Sequence, residues 1–260
     1  MTLISELDKI IELLEAEIPA NPENPKNLRL KNQFTISLAA YFRKLEDAFP
    51  YSKLDSIYNK NVKESLGSDT RGVLDPLLAT FDATLKATVT EHLIEIYLSG
   101  QAEMITWGKT KGGIPIAYEG PPIKNAIAWA EKHGAQLVTQ MDEETKRRLA
   151  QHIADGINNK SGIPNLARDI RTQFGDMTKF RSQMIARTET ASALSQASLD
   201  NMKDMGVEGK QWVVNNPENC VCVDNDGVIV GVDDTFPSGH SAPPAHPNCE
   251  CALAPARLPK

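Results

Sequence analysis

Near its end the chain reads Cys220-Val221-Cys222 and, after 23 intervening residues, His246-Pro247-Asn248-Cys249-Glu250-Cys251. These are all four of its cysteines. Zinc takes four soft or borderline ligands at the corners of a tetrahedron, usually delivered as two close pairs that folding brings together. Cys220, Cys222, His246, Cys249 and Cys251 offer five candidates for four places, and His240 is a weaker sixth. Seven of the 16 prolines also fall at or after Pro217. A segment with so little apolar mass gains from a metal that cross-links it. Two disulfides, in any of three connectivities, are the alternative. The first residues (Met1-Thr2-Leu3-Ile4-Ser5-Glu6) lack the basic, apolar start of a secretory leader, so reduced thiols and structural zinc are the favoured reading.

An open, catalytic zinc fits less well. No histidine is followed two residues on by Glu, and there is no His-Glu-x-x-His. An enzyme reading, nuclease-like or toxin-like, would have to use Asp224, Asp226 or Glu250 beside the metal.

Working back from the cluster, the composition changes near residue 210. Lys210 to Val214 alternates as a strand should, and Asp226-Gly227 before Val228-Ile229-Val230 reads as a turn into a second one. Everything upstream carries apolar residues at three- and four-residue spacing. Helices are expected over about 2–18, 27–48, 52–66, 70–99, 123–133, 135–159, 165–174 and 178–205, with Pro76 tolerable only in a first turn. The Gly- and Pro-rich residues 108–122 read as a linker or exposed loop. The expected fold is mainly α (α+β): an N-terminal helical region at 1–107, then a helical domain at 123–260 that ends in a small β-containing Cys/His module at 207–256.

The 260 residues include 28 basic and 34 acidic ones, a formal charge of −6, with 41% hydrophobic residues. That is too apolar for wholesale disorder, and no apolar run approaches the ~20 residues of a membrane helix. Charge is unevenly spread. Residues 146–187 hold nine basic side chains against three acidic, whereas residues 201–260 hold four against eight. The Cys/His end is therefore poorly suited to grip phosphates. Lys146, Arg147, Arg148, Arg168 and Arg171 are the candidates for contact with DNA or an acidic partner, the alternative being a solvated face. In Ile185-Ala186-Arg187-Thr188-Glu189 the Arg and the Glu lie two residues apart, on different faces of a helix, and cannot pair locally. Each must look to another element or to water, and the favoured reading is structural ion pairing that locks the helix to the Cys/His module.

Taken in order, several motifs resemble those of the phage head morphogenesis (Mu F-like) minor head proteins of tailed bacteriophages. They are Ile185-Ala186-Arg187-Thr188-Glu189 with the small residues after it, Gly206, Lys210 and Trp212, Cys220-Val221-Cys222, Asp226-Gly227, and Pro243 through Cys251. They span about residues 145–256. Two departures stand out: the family more often has Cys-x-x-Cys at the first pair, and Arg where this chain has Glu250. The resemblance implies a non-enzymatic minor capsid component in the virion, present in several copies at the portal vertex after assembly in the host cytoplasm, and acting in head morphogenesis and in DNA packaging or delivery. It implies the portal protein as partner, with scaffold, major capsid protein or packaged double-stranded DNA as further ones. A DNA-binding adaptor is a third reading. The N-terminal helices would then supply an oligomeric or portal-docking surface.

Overall fold

The structure, a computed structural model, describes residues 18–63, 68–113, 123–215 and 220–259. The helix expected over 2–18 lies almost wholly outside the described residues, as does the 108–122 loop beyond residue 113.

The helices are α1 (Pro25–Ala48), α2 (Leu54–Lys63), α3 (Ser68–Thr110), α4 (Ile123–Asn158), α5 (Ile163–Asp176) and α6 (Ser182–Asp204). A 3-10 turn, Tyr51–Lys53, leads into α2, and a single π turn, Met177–Arg181, joins α5 to α6. The strands β1 (Gly209–Val213), β2 (Ile229–Gly231) and β3 (Ala252–Ala256) form an antiparallel sheet in the order β2-β1-β3. The chain is mainly α with a small β-containing module at its end.

Local chemistry sets most of these boundaries. Pro25 opens α1, where its fixed φ suits a first turn, and Pro164 does the same for α5. Gly206, at φ +67°, closes α6: its N–H reaches Lys203 O at 3.1 Å, and that of Val207 reaches Met202 O at 2.9 Å. This double bond around a left-handed glycine satisfies the last carbonyls of the helix.

Four expectations need correction. Helix α3 continues through Gly100 to Thr110, because Gly100 is a site of close packing and not a stop. A Cβ there would meet Leu194 Cδ2 at 2.9 Å and the methyls of Ala20 and Ala197 at 3.2 and 3.3 Å. Helix α4 likewise runs unbroken through buried Gly134. Pro76 lies inside α3, beyond its first turn; the carbonyl four residues back belongs to exposed Gly72, where water can replace the lost bond. Strand β3 was not expected at all. Its alanines have little strand preference, and Pro255 is tolerated because β3 is an edge.

The described residues form two compact units, one made of those within 1–31, 93–126 and 187–260, the other of those within 32–92 and 127–186. The cuts fall within α1, α3, α4 and α6. The second unit is a helical core in which Phe49 meets Phe174 edge-on, with centroids 5.7 Å apart. In it the π turn delivers Arg181 inward, where the guanidinium donates to Thr145 Oγ1 at 2.7 Å and Met141 O at 2.9 Å. The first unit holds the sheet and the Cys/His residues. Trp212 on β1 is fully buried there, edge-on to Phe236 with centroids 5.0 Å apart.

Candidate metal centre

Two turns present the thiols. The Val223 N–H bonds Cys220 O at 3.2 Å, and a 3-10 turn at Val223–Asn225 follows Cys222. On the other side the Cys249 N–H bonds His246 O at 3.3 Å, with Asn248 in the left-handed region at φ +68°. Asn tolerates that conformation better than most residues.

The Cys220, Cys222, His246 and Cys249 ligand atoms all lie within 4.8 Å of one another. Cys220 Sγ is 3.3 Å from His246 Nε2, and Cys222 Sγ is 4.0 Å from Cys249 Sγ. A tetrahedron with zinc–sulfur bonds near 2.3 Å has sulfur–sulfur edges of about 3.8 Å and sulfur–nitrogen edges of about 3.5 Å. The spacing and the chemistry of the donors thus fit a tetrahedral soft-metal site. His246 Nδ1 lies 2.8 Å from Pro247 O, which suits an Nδ1–H tautomer and leaves the Nε2 lone pair facing the thiols.

The fifth candidate, Cys251, stands outside that group of four, buried, with its Sγ 3.5 Å from Cys220 Sγ. Exposed His240 lies beside Ser238 and takes no part.

The thiols do not ionise alike. A hydrogen bond from Cys251, helped by backbone N–H groups and His246, outweighs burial and brings Cys249 down to about 5. Burial and the neighbouring sulfurs push Cys222 up to about 12, and Cys249 together with burial pushes Cys251 well up. Crowded sulfurs of this kind are held jointly as thiolates when a divalent cation sits among them.

Glu250 lies between Cys249 and Cys251 and is held by two cations. Its Oε1 takes Lys31 Nζ at 2.8 Å and Arg187 Nε at 3.2 Å. Asn215 donates to the Glu250 carbonyl and pairs its amide with that of Asn21. Thr188 Oγ1 accepts the Asn248 N–H at 2.8 Å. The ligand loop is therefore clamped by α6 on one side and by the 21–31 segment on the other. Arg187 has the distant partner its helix position demanded; Glu189 is half-buried on α6. Asp226 is also engaged, accepting the Val214 N–H at 2.9 Å ahead of left-handed Gly227.

The five basic candidates lie elsewhere, in the second unit. Arg147 and Arg148 share the Glu144 carboxylate, which their hydrogen bonds hold down at about 2. Lys146 pairs with Asp75 at 2.8 Å and Glu143 at 3.3 Å. Arg168 bonds Asn165, and Arg171 lies 4.3 Å over the Tyr51 ring. Counting charge from residue 146 onward had left out Asp142, Glu143 and Glu144, one turn earlier on the same helix.

Sequence reading missed Lys31, Asn21 and Asn215, which no local pattern marks as neighbours of the cluster. Among the described residues no helix is long and apolar enough to cross a membrane.

Residues 143–254 match the model of a family described as phage Mu protein F like protein. The limits agree within two residues at each end with the motif span of about 145–256. No curated protein and no solved structure matches the chain. Lys31 and Asn21, which hold the ligand loop, fall outside the matched segment.

Proposed function

Starting from a phage Mu F-like segment that spans residues 143–254, we propose that this chain is a phage head-morphogenesis protein, a non-enzymatic minor head component acting at the portal vertex. Its Cys/His module serves as a rigid cap stapled by a structural zinc ion. The portal protein is the principal partner, the chain is present in several copies, and it resides in the virion after assembly in the host cytoplasm.

The observation that carries this reading is the engagement of Glu250 and Asp226, two of the three acids beside the metal centre; the third, Asp224, is exposed on the turn after Cys222. Glu250 is tied to Lys31 and Arg187, and Asp226 to the Val214 amide. A hydrolytic site needs a base within reach of a metal-bound water. Here Glu250 fixes the ligand loop in place, and Asp226 holds the end of β1. Cys220, Cys222, His246 and Cys249 would hold the ion, which supplies cross-linking that the small sheet lacks. The pairing of Lys146, Arg147 and Arg148 with Asp75, Glu143 and Glu144 favours a protein partner over packaged double-stranded DNA.

Three measurements test the proposal. Elemental analysis should find one zinc per chain. Chelation should raise hydrogen exchange across 207–256 while α1 and α2 stay protected. Heads assembled with the portal protein should contain the chain, and heads assembled without it should not. Metal-dependent cleavage of DNA, lost on chelation with the fold intact, would replace this reading with an enzymatic one.

A further inference from the structure

The four sulfurs are arranged as two rungs. Cys220 Sγ faces Cys251 Sγ at 3.5 Å, and Cys222 Sγ faces Cys249 Sγ at 4.0 Å. The two Cys-x-Cys segments therefore meet in opposite directions, each step of two residues forward on one matching a step of two residues back on the other. Within each segment the two sulfurs also touch, Cys249 with Cys251 and Cys220 with Cys222, but between the segments these contacts use every sulfur once and so mark one complete pairing of the three that four cysteines allow.

We infer that the module carries a second, covalent staple: under oxidising conditions these thiols close into two disulfides, Cys220–Cys251 and Cys222–Cys249. All four cysteines are free in the structure. A disulfide needs sulfurs about 2.05 Å apart, so each rung must close by about 1.5–2 Å, within reach of side-chain rotation and a small loop shift. Cys220 is the partly exposed member and the natural point of attack, while the other three are buried.

The chemistry balances with a low-molecular-weight disulfide such as oxidised glutathione as oxidant. The Cys220 thiolate attacks one glutathione sulfur and expels a glutathione thiolate. Cys251 then loses its proton and attacks the mixed disulfide at the Cys220 sulfur, releasing the second glutathione. Each rung thus gives up two protons and two electrons, and one glutathione disulfide becomes two glutathione molecules. Cys222 and Cys249 react in the same way.

The pairing stands on the sulfur geometry alone. Its use rests on the head-protein reading: a module assembled among reduced thiols would hold a metal, and one carried outside the cell would keep its shape by disulfides if the metal were lost.

The full-length chain, freed of metal with a chelator, would be treated with oxidised glutathione and its titratable thiols counted. The expected result is a fall from four to none, with electron-transfer fragmentation of peptides cut after Glu250 assigning Cys220–Cys251 and Cys222–Cys249. Double variants give an independent measure. Those that leave one rung, C220S/C251S or C222S/C249S, should close at least tenfold faster than C220S/C249S, which leaves a diagonal pair. Equal rates, a 220–222 or 249–251 bridge, or four thiols that persist would each overturn the inference. Preloading with zinc should protect the thiols. Absence of protection with the pairing intact would remove the metal reading and leave this one standing.

Discussion

Arg187 on α6 reaches Glu250 at 3.2 Å, and Glu250 stands between two cysteines of the metal cluster. An ion pair in this position does more than join two surfaces. It fixes the backbone on which Cys249 and Cys251 ride, and with Lys31 on the same carboxylate it draws α1 and α6 onto one loop.

The Lys31 side chain is 8% exposed, so removing its nearer carboxylate leaves a nearly buried cation that has lost its 2.8 Å ion pair, Glu23 lying at 3.1 Å. Glu250→Gln should therefore cost about 2 kcal/mol in denaturant unfolding, well above the value of a surface pair. Lys31→Met combined with Glu250→Gln should recover at least about 1 kcal/mol of that loss. Strict additivity in the double-mutant cycle would mean that the two residues are not coupled.

In the second unit, Tyr41 Oη lies 3.5 Å from Asp142 Oδ1, with Asp82 on α3 and Lys146 and Arg181 nearby. Burial, then the Asp82 carboxyl, pushes Asp142 up to about 7. An unfolded carboxyl ionises near 4, so between about pH 4 and 7 the folded chain holds a proton that the unfolded chain releases. Stability should fall as pH rises through that window, by about 2–4 kcal/mol, and then level off. Urea unfolding at pH 5, 6, 7 and 8 measures it. Asp142→Asn should flatten this part of the profile; a variant profile running parallel to that of the wild type would remove Asp142 as the cause.

Gly100 separates what sequence conveys from what it does not. By local preference a glycine after Ser99 ends a helix; the close approach of Leu194, Ala20 and Ala197 carries the helix through. Helix faces were legible because burial imposes a 3.6-residue period, and the metal candidates because soft ligands in close pairs are rare by chance. Strand β3 was illegible because Ala252 and Ala254 pair with β1 without any alternating signal. Lys31 was illegible because its partner lies 219 residues away. The need of Arg187 for a distant partner could be read from spacing alone, but not that the partner would be Glu250.

The same glycine gives a packing test. Gly100→Ala gains up to ~1 kcal/mol in helix propensity, but its methyl would sit 3.2–3.3 Å from Ala20 and Ala197, whose Cβ atoms cannot swing aside. The net effect should be destabilising by about 1–2 kcal/mol. Thermal unfolding checks this, and a stabilised variant would show that the three segments are less closely packed than described.

The basic face of α4 permits a quantitative test of DNA contact. Each phosphate neutralised by a lysine or arginine contributes about 0.9 to the slope of log affinity against log salt, so three contacts from Lys146, Arg147 and Arg148 would contribute about 2.7. Their cations already face Asp75, Glu143 and Glu144, and trading those partners for phosphates would leave three carboxylates repelling the duplex. Replacing all three by Gln should accordingly shift the slope by less than about 1 and change duplex affinity less than about threefold at 0.1 M salt. Fluorescence anisotropy with a labelled duplex across a salt series reads both quantities. A slope that drops by nearly 3 would make this face a nucleic-acid interface and restore packaged DNA as its partner.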